Sequence, residues 1–132
     1  MKRNLTLAGW LLAGATLFAQ DQLYLEGKRL FFELNCHLCH HPSDDAASIG
    51  PSLRTIAAFY IGNERRLAEF LEGKAPPIVD PARFFIMKPQ LYKTMHLTFD
   101  EQEALVRFLT TLIHEKEEDK WESDLQEWPP LP

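Results

Sequence analysis

The stretch Cys36-His37-Leu38-Cys39-His40 decides how the rest of the chain is read. Two cysteines three apart, followed at once by a histidine, form the pattern of a c-type haem attachment site. Each thiol can add to one vinyl group of a porphyrin. One turn of backbone lets both sulfurs reach the same edge of the ring. The next residue then brings an imidazole under the iron. The pattern alone leaves other readings open: a thiol–disulfide pair, half of a zinc site, or two unremarkable cysteines. The remaining sequence has to choose among them.

The chain has 132 residues, enough for one domain with a core. It begins with Lys2 and Arg3, followed by an apolar run from Leu5 to Ala19. That run is short for a membrane span, which needs roughly 20 apolar residues. A basic start, a short apolar stretch and small residues at its end describe a secretory signal peptide, with cleavage expected after Ala19 or Ala15. Residues 1–19 are therefore expected to be a leader, or a membrane anchor where it is not cleaved.

Export bears on the cysteines. An oxidising compartment favours disulfides in small secreted proteins. Cys36 and Cys39 are the two cysteines of the chain, and a bridge between them would close a very small loop. Such a loop restricts the unfolded chain little. Covalent haem explains the pair better, and it also fills a core that so short a chain struggles to fill.

The formal net charge is −5, and losing Lys2 and Arg3 with the leader makes it −7. From Glu115 onward there are seven acids and two bases, so the tail holds most of the excess. The part ahead of it is close to balanced. No basic surface for nucleic acid is expected, and the tail weakens binding to anionic lipid.

The periodicity is helical throughout. Leu23, Gly27, Leu30, Phe31 and Leu34 recur at three- and four-residue spacing, which predicts a helix over Asp21–Asn35. Gly27 inside it costs about 1 kcal/mol relative to alanine; either another helix approaches closely there or it is a tolerated weak spot. Residues 41–49 read as a polar loop. Leu53 to Tyr60 predicts a short helix, and Asn63 to Gly73 another, with Asn63 as N-cap and Gly73 as left-handed C-terminal residue. Ala75-Pro76-Pro77 excludes regular helix. Asp80-Pro81 starts a further short helix that delivers Met87. A loop is expected from Met87 to Leu97.

Thr98-Phe99-Asp100-Glu101 is a capping box. It opens a helix with Leu105, Phe108, Leu109 and Leu112 on one face. No run alternates apolar and polar residues long enough for a strand, so an all-α fold is expected. Beyond Ile113 the sequence is highly charged, with Trp121, Leu125 and Trp128 spaced for a continued apolar stripe; the alternative is a solvated, frayed tail.

Taken together, Cys36-His37-Leu38-Cys39-His40, then Gly50-Pro51-Ser52-Leu53, then a methionine before a capped final helix resemble a class I monohaem cytochrome c. The resemblance runs from about Asp21 to Ile113. The segment Ile78-Val79-Asp80-Pro81-Ala82 through Met87-Lys88-Pro89-Gln90-Leu91 is similar to the long methionine loop of small cytochromes of thermophilic bacteria. Three parts follow: a leader over 1–19, a cytochrome c domain over 20–114 and a charged extension over 115–132.

The resemblance implies N- and C-terminal helices packed around one covalent haem c. It implies thioether bonds at Cys36 and Cys39 and His40 as proximal ligand. Pro51 would accept a hydrogen bond from His40, and Leu53 would pack on the haem. Gly27 and Phe31 would meet Phe108. The segment between Phe31 and Cys36 is one residue longer than in many members, which offers Phe32 part of that role. Met87 is preferred as sixth ligand, because Met95 lies too near Thr98 to cross the haem face. His37 is expected to face solvent, His41 to point elsewhere than its neighbour His40, and His96 and His114 to be surface residues.

The function implied is that of a periplasmic one-electron carrier, without catalysis, monomeric and serving redox proteins such as a respiratory complex or terminal oxidase. It would dock transiently on membrane complexes and bind no nucleic acid. The alternatives are a haem enzyme or small-ligand sensor with a labile sixth ligand, and a cytochrome subunit of a larger redox complex.

Overall fold

The computed structural model of the chain describes residues 5–42 and 48–111. Helix α1 spans Leu5–Glu33, so it begins well before the expected start at Asp21. Residues 5–20 contain no proline, and Gly9 and Gly14 are weak breakers at about 1 kcal/mol each. The expected leader boundary at Ala19 is thus not marked by a break in the helix. Among the described residues, no helix is long and apolar enough to cross a membrane. Helix α1 stops at Asn35, which takes the left-handed conformation at φ 60°. Its N–H returns to the Phe32 carbonyl at 2.9 Å. Asparagine is one of the few residues that serves there in place of glycine.

Helix α2 covers Leu53–Tyr60, as the sequence predicts. Its start is fixed by Ser52, whose hydroxyl accepts from the Thr55 N–H at 3.0 Å. Helix α3 covers Glu64–Leu71. Asn63 holds the N-cap position but makes no side-chain cap; the Glu64 carboxylate instead accepts from the Gly62 N–H at 2.9 Å. Gly73 ends α3 at φ +72°. The Gly73 N–H bonds to Phe70 O at 2.9 Å and Lys74 N–H to Glu69 O at 2.8 Å, the paired bonds of a Schellman motif.

A 3-10 turn over Pro81–Arg83 runs into α4, Phe84–Met87. The expected loop after Met87 is instead another 3-10 turn, Lys88–Gln90, followed by α5, Tyr92–Met95. Burial of Leu91 and Thr94, one turn apart, explains this difference. The Thr94 hydroxyl donates to Leu71 O at 2.7 Å and so ties α5 to the end of α3.

Helix α6, Phe99–Leu109, opens with the predicted capping box. The Thr98 N–H reaches Glu101 Oε2 at 2.8 Å, and the Glu101 N–H reaches Thr98 Oγ1 at 3.3 Å. Its buried face carries Leu105, Phe108 and Leu109. Leu112, His114 and the tail tryptophans lie outside the described residues.

The main helix packing is α1 against α6. A Cβ placed on Gly27 would stand 2.0 Å from the Ala104 carbonyl oxygen and 2.7 Å from Phe108 Cβ. The two backbones therefore meet directly, which is the reason for glycine at this position. Phe108 closes the contact, its ring centroid 5.2 Å from that of Phe31 and 5.4 Å from that of Tyr24. Such aromatic pairs add about 0.5–1.5 kcal/mol each beyond the area they bury. Phe31 meets Phe108 directly, as expected. Phe32 is also buried, edge-on to Phe31 at 5.9 Å. The fold is all-α, with no strand among the described residues.

Candidate functional site

A cleft opens beside the α1–α6 crossing. Its walls are apolar, with Phe31 from α1, Leu34 just beyond its end, Ile56 from α2, Phe70 from α3 and Leu105 from α6 among them. Cys36, Cys39, His40, Pro51 and Met87 also line it. Residues distant in sequence thus share one cavity.

The left-handed Asn35 turns the chain out of α1 and into a 3-10 turn over Cys36–Leu38. The Cys39 and His40 N–H groups both return to the Cys36 carbonyl, at 3.2 and 3.1 Å. This single turn faces both sulfurs and the imidazole into the cleft. The thiols are free. Burial pushes the Cys36 thiol up to about 11, whereas a reactive redox thiol needs a lowered pKa. Among the described residues, no three histidine, cysteine or acidic side chains come together as a metal cluster. The disulfide-exchange and zinc readings thereby lose their support.

His40 Nδ1 lies 2.8 Å from the Pro51 carbonyl oxygen. A carbonyl only accepts, so Nδ1 carries the proton and donates, leaving the Nε2 lone pair free. Burial lowers the pKa of His40, opposed by the bond to Pro51. The imidazole is therefore held neutral, the form that binds metal. Gly50 makes room for the ring: a Cβ there would stand 2.6 Å from His40 Cε1. The Gly50 N–H bonds to Cys39 O and the Leu53 N–H to His41 O, each at 2.8 Å. These two bonds stitch the Gly-Pro segment to the attachment turn.

Leu53, expected to pack on the haem, is buried at 2% exposure in the core, and Ile56 of the same helix lines the cleft. Met87 and Met95 are separated clearly. Met87 lines the cleft, while Met95 is 52% exposed. The Met95 sulfur packs on Gly73, 3.3 Å from where a Cβ would be.

His37 departs from the surface role expected of it. Its ring lies 5.0 Å from that of Phe32, and its buried Nδ1 has no hydrogen-bond partner. Burial lowers its pKa. His41 is half-buried and His96 exposed; His114 lies outside the described residues.

Sequence reasoning missed Tyr60 and Gly50. The Tyr60 hydroxyl accepts from the Ile78 N–H at 3.0 Å, pinning the proline-rich segment to α2 beside the cleft. A lone tyrosine ending an apolar helix was the available signal.

The set of groups fits a haem: an apolar cleft, two thiols one turn apart, a neutral imidazole with a free nitrogen, and a thioether. The family model of cytochrome c matches residues 24–112, more than half of the chain. No curated protein matches the sequence. The chain therefore belongs to the cytochrome c family, a haem protein of electron transfer carrying covalently attached haem c, with Cys36 and Cys39 in the attachment motif.

Proposed function

We propose that the chain is a class I monohaem cytochrome c, exported to the periplasm, that carries single electrons between respiratory redox proteins. His40 and Met87 are its axial ligands, and Cys36 and Cys39 its thioether anchors. The observation that carries this reading is the shared cleft: His40, fixed on Pro51, and Met87 both line it. Met95 is turned to Gly73 instead.

Bound haem supplies one-electron iron chemistry there. The chain's own groups decide how that chemistry is used. His40 and Met87 would both hold the iron, which would leave a substrate no open site there. A methionine partner favours a higher potential than stronger donors do. Burial among Phe31, Ile56 and Leu105 keeps water from the site. Little in the wall has to reorganise when charge changes.

Leu38, Ile49 and Phe85 are exposed apolar residues around the attachment turn and the cleft. They suit brief encounters of small buried area with redox partners. Export is supported by Lys2, Arg3 and the apolar run to Ala19.

The test is intact mass and a visible spectrum on protein made in an export-competent host. One added haem, loss of residues 1–19 and a low-spin spectrum with a methionine–iron charge-transfer band are expected. A high-spin resting state with rapid peroxide turnover would favour the haem-enzyme reading and overturn this one.

A further inference from the structure

We propose that Arg83 is a positioning residue for Met87, a strap across the cleft mouth that holds the methionine segment against the loop leading to Pro51. This rests on the reading of Met87 as an axial ligand. The Arg83 guanidinium makes two contacts. Its Nε pairs with the Asp80 carboxylate at the start of the same turn. Its Nη1 donates to the Ile49 carbonyl at 3.3 Å, across 34 residues of sequence. Ile49 stands two residues before Pro51, the partner of His40. One side chain thus joins the segment that carries Met87 to the segment that orients His40.

Its place in the fold fits a strap. Arg83, Asp80 and Ile49 all line the cleft, while the Arg83 side chain is 54% exposed and Ile49 55% exposed. The link therefore lies at the mouth rather than in the interior.

The segment has little else to hold it. None of the residues in Pro81–Arg83, Phe84–Met87 or Lys88–Gln90 is buried. Firm anchors come only at its two ends, where Ile78 binds Tyr60 and Thr94 binds Leu71. Between them, Phe84 packs on Phe70 at 5.8 Å. Among the described residues, the Arg83 bond to Ile49 joins Asp80–Gln90 to a part of the chain distant in sequence, whereas the Leu91 N–H bond to Lys88 O at 3.3 Å is local to the segment's end. Segments with few buried contacts open at low cost, so one polar link shifts the closed fraction measurably.

An external base can reach the iron only when Met87 has left. Its apparent affinity therefore reports how often the segment is open. Imidazole is titrated into the ferric holoprotein and followed by loss of the methionine charge-transfer band. Arg83→Ala should bind imidazole roughly two- to fivefold more tightly than wild type, the range of one partly exposed hydrogen bond. Arg83→Lys should fall between the two. Arg65→Ala, which removes a surface pair with Glu69, should match wild type.

Equal affinities for wild type and Arg83→Ala would overturn the strap. So would the same tightening in a Met87→Ala background, where no methionine remains to be displaced. The ligand assignment fails separately: Met87→Ala alone would then keep the charge-transfer band.

Discussion

His40 Nδ1 and the Pro51 carbonyl oxygen lie 2.8 Å apart, bridging eleven residues of sequence. The bond fixes both the tautomer and the ring plane of the histidine, so Nε2 is presented to the cleft. Gly50 permits this approach, and the prediction concerns that residue. In Gly50→Ala the new methyl would meet the His40 ring at 2.6 Å. The ring is held by Pro51 and cannot swing aside freely. Overpacking of this kind costs about 1–3 kcal/mol. A lower urea midpoint and an altered ferric spectrum are expected together. An unchanged spectrum with unchanged stability would show that the ring has room.

Gly27→Ala pits two effects against each other. Alanine raises helix propensity by about 1 kcal/mol. The added Cβ, however, would lie 2.0 Å from a backbone oxygen of Ala104. Backbone cannot rotate away as a side chain can, so α1 and α6 must separate. The packing loss outweighs the propensity gain, and net destabilisation of about 2 kcal/mol is expected from overpacking. Thermal unfolding of the holoprotein measures it.

The two methionines make opposite predictions. Met87→Ala should abolish the methionine–iron charge-transfer band and lower the reduction potential, since the thioether that favours the ferrous state is lost. Met95→Ala should keep the band. Met95 is half exposed on Gly73, so its loss should cost less than about 1 kcal/mol. Ferric spectra and redox titrations of both variants decide the matter.

His37 predicts a pH dependence. Burial lowers its pKa from 6.5, so the folded state binds fewer protons than the unfolded one just below that value. Stability is then fully present above pH 6.5 and falls as pH drops through the folded pKa. Glu26, Glu64 and Glu72 also have lowered pKa values, through their hydrogen bonds, but they act below 4.5. Urea midpoints between pH 7.5 and 5.5 therefore isolate histidine effects. His37→Leu should show a shallower decline across that window than wild type. An equal slope would remove His37 from the account.

Much of the fold was legible because its signals are local. Thr98 and Glu101 cap α6 through bonds three residues apart, and Gly73 closes α3 in the same local way. Gly27 was legible as a point of close approach, although its partner could be named only through a family resemblance. The turns over Lys88–Met95 were not legible. Pro89 reads as a breaker, and the burial of Leu91 and Thr94 depends on the distant Leu71 carbonyl. The need for glycine at Gly50 depends on a ring ten residues earlier. The Arg83–Ile49 link spans 34 residues and leaves no periodic trace. His37 looked like a surface residue because nothing local announces the Phe32 ring beneath it.

The central claim is a closed axial pair, His40 and Met87, in an electron carrier. The ferric visible spectrum of the wild-type holoprotein tests it most directly. A low-spin, six-coordinate spectrum with the methionine–iron charge-transfer band is the predicted result. A high-spin spectrum, or a low-spin spectrum without that band, would contradict it.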